Sequence, residues 1–173
     1  EDGIRAWGVS GVQTCALPIF LVRVYHHESM ESRRVRLRTI RDVHEKGHRV
    51  CLALVQDRAA VRNPDAWKVF CESVLSEIGD CVEIVELGHA VNRVKWGGWS
   101  PDDVGPLLAV ASRLREEPPH LRITGPACID FEYPFVIAAL GQISAGELLG
   151  ALSHPLYVDR RAAPENKPAR FSL

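Results

Sequence analysis

From about residue 20 onward, short apolar runs rich in β-branched and aromatic residues alternate with longer stretches in which apolar residues recur every three or four positions. The first pattern reads as strands and the second as amphipathic helices. Phe20, Leu21, Val22, Val24, Tyr25 and His26 predict a strand. Residues 31–47 follow as a helix, with Val35, Leu37, Ile40 and Val43 at helical spacing and Gly47 closing its C-terminal end. The unbroken apolar run from Val50 to Val55 predicts a strand covered on both faces. Asn63 and Pro64 open the next helix as cap and first-turn proline, and Trp67, Val69, Phe70, Val74, Leu75 and Ile78 carry it on. A third strand over 82–87 runs into a polar, aromatic, glycine-rich stretch. That stretch ends at Ser100, Pro101, Asp102 and Asp103, a cap, proline and acid signal predicting a helix to about residue 116. Residues 121–125 predict a fourth strand, 133–140 a short helix, 144–149 another helix capped by Ser144, and 152–158 a fifth strand.

These strands begin near residues 20, 50, 82, 121 and 152, a spacing of roughly thirty to forty residues, which is the length of a βαβ unit. Repeated units with apolar strands predict a parallel sheet joined by right-handed crossovers. Every strand also ends in a polar cluster: His26, His27 and Glu28; Gln56, Asp57 and Arg58; the stretch from His89 to Trp99; Asp130 and Glu132; and Ser153 and His154 on to Asp159. That distribution favours an α/β fold of the partial (β/α)8 TIM-barrel type, with about five parallel βα units. An open doubly wound sheet would gather its site at one switch point behind a glycine-rich first turn, and the sequence carries no such turn.

Composition narrows the partners. The chain has 173 residues, 46% hydrophobic and 25% charged, with a formal net charge of -1. A single globular domain is expected, without the basic footprint of a nucleic-acid or anionic-membrane partner and without an apolar run long enough for a membrane span. Cys15, Cys51, Cys71, Cys81 and Cys128 form no Cys-x-x-Cys pair, so free thiols in a reducing, cytoplasmic compartment are expected ahead of disulfides or zinc. Residues 1–19 show neither periodicity nor the layout of a signal peptide. They resemble the translation of a sequencing-library adapter, with Glu1, Asp2, Gly3, Ile4 and Arg5 as one constant part and 11–19 as the other. The native domain is therefore expected to occupy 20–173, as a fragment of one barrel.

Three segments carry a further resemblance: Trp96, Gly97, Gly98, Trp99, Ser100, Pro101, Asp102 and Asp103 after the third strand; Leu121, Arg122, Ile123, Thr124, Gly125, Pro126 and Ala127; and Leu152, Ser153, His154, Pro155, Leu156 and Tyr157. In that order they resemble the middle of a (β/α)8 glycoside hydrolase of the large retaining clan that includes the β-xylosidase-like families, from Phe20 to about Asp159 and corresponding to strands two to six. The resemblance implies a carbohydrate ligand and no cofactor. It also puts His89 where the clan carries an Asn and Ala90 where it carries the acid/base Glu. Retaining hydrolysis needs two carboxyl groups about 5 Å apart. Ala90 supplies neither, and the clan's nucleophile belongs to a seventh strand, so the chain is expected to be catalytically silent by that route.

The substitutes on offer are Glu86 and His89. A buried Glu86 would have its pKa raised, as a general acid requires, unless it is a carboxylate paired within the sheet. Trp96 and Trp99 are candidates for a sugar-stacking platform, and His26, His27, Asn92, Asp130, His154 and Tyr157 for substrate contacts, with Arg93 and Lys95 beside them. Asp130 also reads as the cap of the helix near Tyr133. His26, His27, His89 and His154 all fall at strand ends, but no His-x-His pair or acid at ligand spacing accompanies them, so no metal is expected. Three functions remain open: a carbohydrate-active enzyme using Glu86 or His89, a glycan-binding pseudoenzyme, and a metal-dependent barrel hydrolase.

Overall fold

A computed structural model of the protein describes residues 19–114, 120–130, 132–143 and 151–153. The chain is mixed α/β. Strands β1 (Ile19–Tyr25), β2 (Arg49–Val55), β3 (Ile84–Leu87), β4 (Arg122–Ala127) and β5 (Ala151–Ser153) form one sheet in sequential order. Every neighbouring pair is parallel. The helices are α1 (Met30–Glu45), α2 (Arg58–Arg62), α3 (Pro64–Ile78), α4 (Val104–Leu108), α5 (Val110–Leu114) and α6 (Tyr133–Leu140).

The predicted elements form with a few shifts. β1 starts at Ile19, one residue before the predicted strand, because Ile19 pairs with Arg49. β3 starts two residues late, after a 3-10 turn at Gly79–Cys81 uses up the end of α3. The short helix α2 was not anticipated. It is held by the Asp57 side chain, which accepts from the Ala60 amide at 2.8 Å, and its five residues are too few to show a periodicity. The single helix predicted from Ser100 onward is instead a 3-10 turn at Pro101–Asp103 followed by α4 and α5, interrupted at Ala109. Pro106 lacks an amide hydrogen and opposes the carbonyl four residues earlier, which disfavours one continuous α-helix there. The helix predicted over 144–149 and most of the fifth predicted strand lie outside the described residues.

Alternation along the strands separates two faces. Val24, Val50, Leu52, Leu54, Val85, Leu87 and Ile123 pack into one core with Leu37, Ile40, Trp67, Phe70, Val74, Leu107 and Leu108 of the helices. The sequential strand order explains this one-sidedness, since right-handed crossovers that always advance in the same direction put every helix on the same side. The described strands contain no reversal of order, the feature that makes the crevice of a doubly wound sheet. The opposite face carries Leu21, Arg23, Tyr25, Cys51, Ala53, Ile84, Glu86 and Thr124 in register. Leu21 on that face is 49% exposed. Among the described residues no helix is long and apolar enough to cross a membrane, and Cys51, Cys71, Cys81 and Cys128 are free thiols.

Trp67 joins the helical layer together. It is fully buried, stacks on Phe70 at 5.4 Å between centroids, and donates from Nε1 to the Leu107 carbonyl at 3.0 Å. Trp67→Ala removes this area and leaves the Leu107 carbonyl without its donor, so a loss of about 3–5 kcal/mol is expected in urea unfolding. A loss below about 1 kcal/mol would show that the helical layer does not depend on this contact.

Candidate functional site

β3 sends Val85 and Leu87 into the helical core and Glu86 to the opposite face, where its side chain is only 5% exposed. A carboxylate there needs protein partners in place of water. Gly88, at φ 72°, then turns the chain so that the His89 ring folds back. His89 Nδ1 lies 2.7 Å from Glu86 Oε1, and the Ser153 hydroxyl of β5 donates to Glu86 Oε2. Gln56, buried at the end of β2, clamps the turn: its Nε2 donates to the His89 carbonyl at 2.6 Å and its Oε1 accepts from the His89 amide at 2.9 Å.

These contacts decide between the two readings of Glu86 in favour of the paired carboxylate. Burial pushes the Glu86 carboxyl upward, but the hydrogen bonds from His89 and Ser153, together with the charges of His89 and Arg23, outweigh it and hold the pKa below the ordinary value. Glu86 is therefore a carboxylate and not the protonated general acid that burial alone would make it. An ionised carboxylate only accepts, so Nδ1 of His89 carries the proton and Nε2 is its remaining nitrogen. Beside the pair, Cys51 has its thiol pushed up to about 11, first by burial and then by the Glu86 charge. It stays protonated and is no thiolate nucleophile.

Ala90, the position the resemblance assigns to the catalytic Glu, is fully buried with φ 47°. The next amide, of Val91, donates to the Ala127 carbonyl at 3.0 Å and ties the turn to β4. A side chain at 90 faces packed protein. The polar group presented by this turn is the imidazole one residue earlier.

The two tryptophans part company. Trp96 closes a 3-10 turn at Val94–Trp96 and meets the His89 ring edge-on at 5.7 Å. It stacks on Tyr25 at 5.8 Å, with the Lys95 ammonium 4.9 Å from its centroid. Trp99 is 57% exposed and lies under the Arg58 guanidinium at 4.1 Å, with Arg62 at 5.6 Å. Arg58 also donates to Asp103 at 2.8 Å and to the Gly97 carbonyl at 3.0 Å. The glycines between the tryptophans are required by close approach. A Cβ at Gly98 would stand 1.8 Å from the Val91 carbonyl oxygen, and one at Gly97, where φ is 87°, would stand 2.5 Å from the Asp57 backbone.

The other candidates divide between this centre and the scaffold. His26 turns away to Asp57 at 3.0 Å and to the rings of Phe70 and Trp67. His27 is more exposed, 3.9 Å from Asp57 and 5.6 Å from the Tyr25 ring. Asn92 spends its amide on Ile129 and Glu132: Nδ2 donates to the Ile129 carbonyl at 2.7 Å and to Glu132 at 2.9 Å, while Oδ1 accepts from the Ile129 amide. Arg93 bridges Asp130 and Glu132 at 2.5 Å each. These five residues knit the loop after β3 to the loop after β4. Asp130 does not cap α6, because its φ of 61° and its pairing with Arg93 direct it elsewhere; Glu132 occupies the cap position without a side-chain cap bond. His154 and Tyr157 lie outside the described residues.

Gln56, Ser153, Tyr25 and Arg23 were not singled out from the sequence. Ser153 and Gln56 stood inside the polar clusters at strand ends, which is the signal that could have found them; Tyr25 and Arg23 sit within an apolar run and gave none. Among the described residues no group of three His, Cys, Asp or Glu is arranged to hold a metal ion. The remaining carboxylates at the strand ends are occupied by cations or imidazole: Glu28 by Arg36, Asp57 by His26, Asp103 by Arg58, Asp130 and Glu132 by Arg93. No protein-family model matches the chain, and no curated protein matches it.

The depressed Glu86 pKa sets a pH dependence. Its stabilisation is complete above the ordinary value of 4.5 and is lost as pH falls through the lower native value. Glu86→Gln is expected to cost about 2 kcal/mol at neutral pH, with the gap to wild type narrowing below about pH 4. Denaturant melts across this range check the sign, and a gap that widens in acid would contradict the ionised assignment.

Proposed function

We propose that this sheet is a sector of a glycoside hydrolase-like (β/α)8 domain that binds a carbohydrate without cleaving it. The observation that carries the reading is the Glu86–His89 couple at the C-terminal end of β3, bordered by Trp96 on Tyr25, on the sheet face free of described helices. Sequential parallel strands with all helices on one side are the geometry that curls into a barrel, and barrel sites are built at the strands' C-terminal ends. Paired polar groups beside an aromatic face suit a saccharide, whose hydroxyls need donors and acceptors and whose C–H faces need a flat apolar surface. Ala90, buried where the clan's acid would stand, supports binding over hydrolysis.

A second reading follows from one contact. A histidine whose Nδ1 is oriented by a carboxylate is the arrangement of a general base, which keeps an enzyme built on Glu86 and His89 in view.

Titration calorimetry with β-linked xylo- and gluco-oligosaccharides, run beside a reducing-end assay, separates the two. Saturable binding without sugar release is expected, weakened about tenfold or more in Trp96→Ala, equivalent to about 1.4 kcal/mol. Sugar release abolished by Glu86→Gln would establish the enzymatic reading. Absence of binding to any oligosaccharide would remove both.

A further inference from the structure

Arg23 stands in the middle of β1 on the same sheet face as Glu86. The register places Arg23 opposite Ala53 and Ala53 opposite Glu86, so only a methyl group separates the two charged positions in that row. Glu86 does not use the guanidinium as a hydrogen-bond partner, because its two oxygens are taken by His89 and Ser153.

Arg23, Arg33, Arg58 and Arg93 each have a buried Nε without a partner among the described residues. Three of them engage elsewhere. Arg33 lies over the Phe70 ring at 4.7 Å, Arg58 bonds Gly97 and Asp103, and Arg93 bridges Asp130 and Glu132. Among the described residues Arg23 alone of the four has neither a hydrogen bond, an ion pair nor an aromatic face for its guanidinium. A half-buried guanidinium with an unbonded N–H is costly unless something supplies the acceptor. Its planar fork is shaped for a carboxylate, which can receive two parallel N–H bonds at once.

We infer that Arg23 is an anion-recognition residue, and that the saccharide bound at this face carries a carboxylate, as a uronic acid does. The inference rests on the carbohydrate reading above and names the class of sugar. The ring of such a ligand packs on the partly exposed Tyr25 and Trp96 at the strand ends, while its carboxylate satisfies the guanidinium on β1. Glu86 itself carries the opposite charge, so the ligand's carboxylate must lie on the β1 side of the row and away from β3.

The test compares the full 173-residue chain with its Arg23→Gln and Arg23→Lys variants, each checked for folding by circular dichroism. The ligands are a neutral β-linked disaccharide and the matching aldobiouronic acid. Wild type is expected to bind the acid about tenfold more tightly than the neutral sugar at low salt, with the preference shrinking as salt is raised. Arg23→Gln is expected to bring the two ligands to within about twofold of each other, and Arg23→Lys to keep a reduced preference because charge remains without the fork. Equal wild-type affinities, or a preference that survives Arg23→Gln, would overturn the inference and leave the carbohydrate reading standing. Failure of both ligands to bind would overturn that reading and the inference with it. If Arg23→Gln does not fold, the salt dependence in wild type and the Arg23→Lys preference decide the matter.

Discussion

The constraint on which the site depends is the cost of a carboxylate in the middle of a parallel sheet. Glu86 has lost water on nearly every side, and an uncompensated charge there would cost several kcal/mol. The surrounding chain is arranged to compensate it. His89 has to fold back, so the backbone must reverse immediately after β3, which places Gly88 and Ala90 at positive φ. The reversed turn must be held in place, and the Gln56 carboxamide does so by bonding the His89 amide and carbonyl together. Ser153 then extends the same requirement to β5, so one carboxylate connects strands β3 and β5 across β4.

The direction of the chain supplies the second constraint. A monotonic strand order with right-handed crossovers leaves the helices on one side, and the opposite face must find other cover. The residues there reflect that: Ala53 and Thr124 are small, Tyr25 is amphipathic, and Arg23 and Glu86 are charged. A face made only to pack a second layer would be uniformly apolar, as the face toward α1, α3 and α4 is. The charge therefore sits on the face opposite the helical layer.

Much of this was legible in the sequence. Strand spacing and the Asn63–Pro64 and Ser100–Pro101 signals located the main elements, because caps and hydrophobic period are local properties. The pairing of Glu86 was legible as the favoured of two readings but without its partners, since a single buried carboxylate can be either protonated or paired and the partners lie three and sixty-seven positions away. The histidines show the same limit. His26 and His89 both end strands, yet one packs against Phe70 beside α3 and the other closes on Glu86. The rotation of each chain after its strand decides this, through left-handed Gly88 and Ala90 in one case and the Asp57 pairing in the other. Trp96 and Trp99 looked like one platform by spacing, but two glycines pressed against neighbouring backbone send them in different directions.

The turn after β3 also ties the alanine at position 90 to the centre formed by Glu86 and His89. Position 90 is buried against the β4 end, where the Val91 amide reaches Ala127. A longer, charged side chain there would need either solvent or a cation, and the turn offers neither without opening. With alanine the turn can close tightly, and closing it is what brings His89 within 2.7 Å of Glu86. The small residue at 90 thus permits the imidazole–carboxylate pair, so the alanine at 90 and the couple at 86 and 89 are two consequences of one backbone conformation.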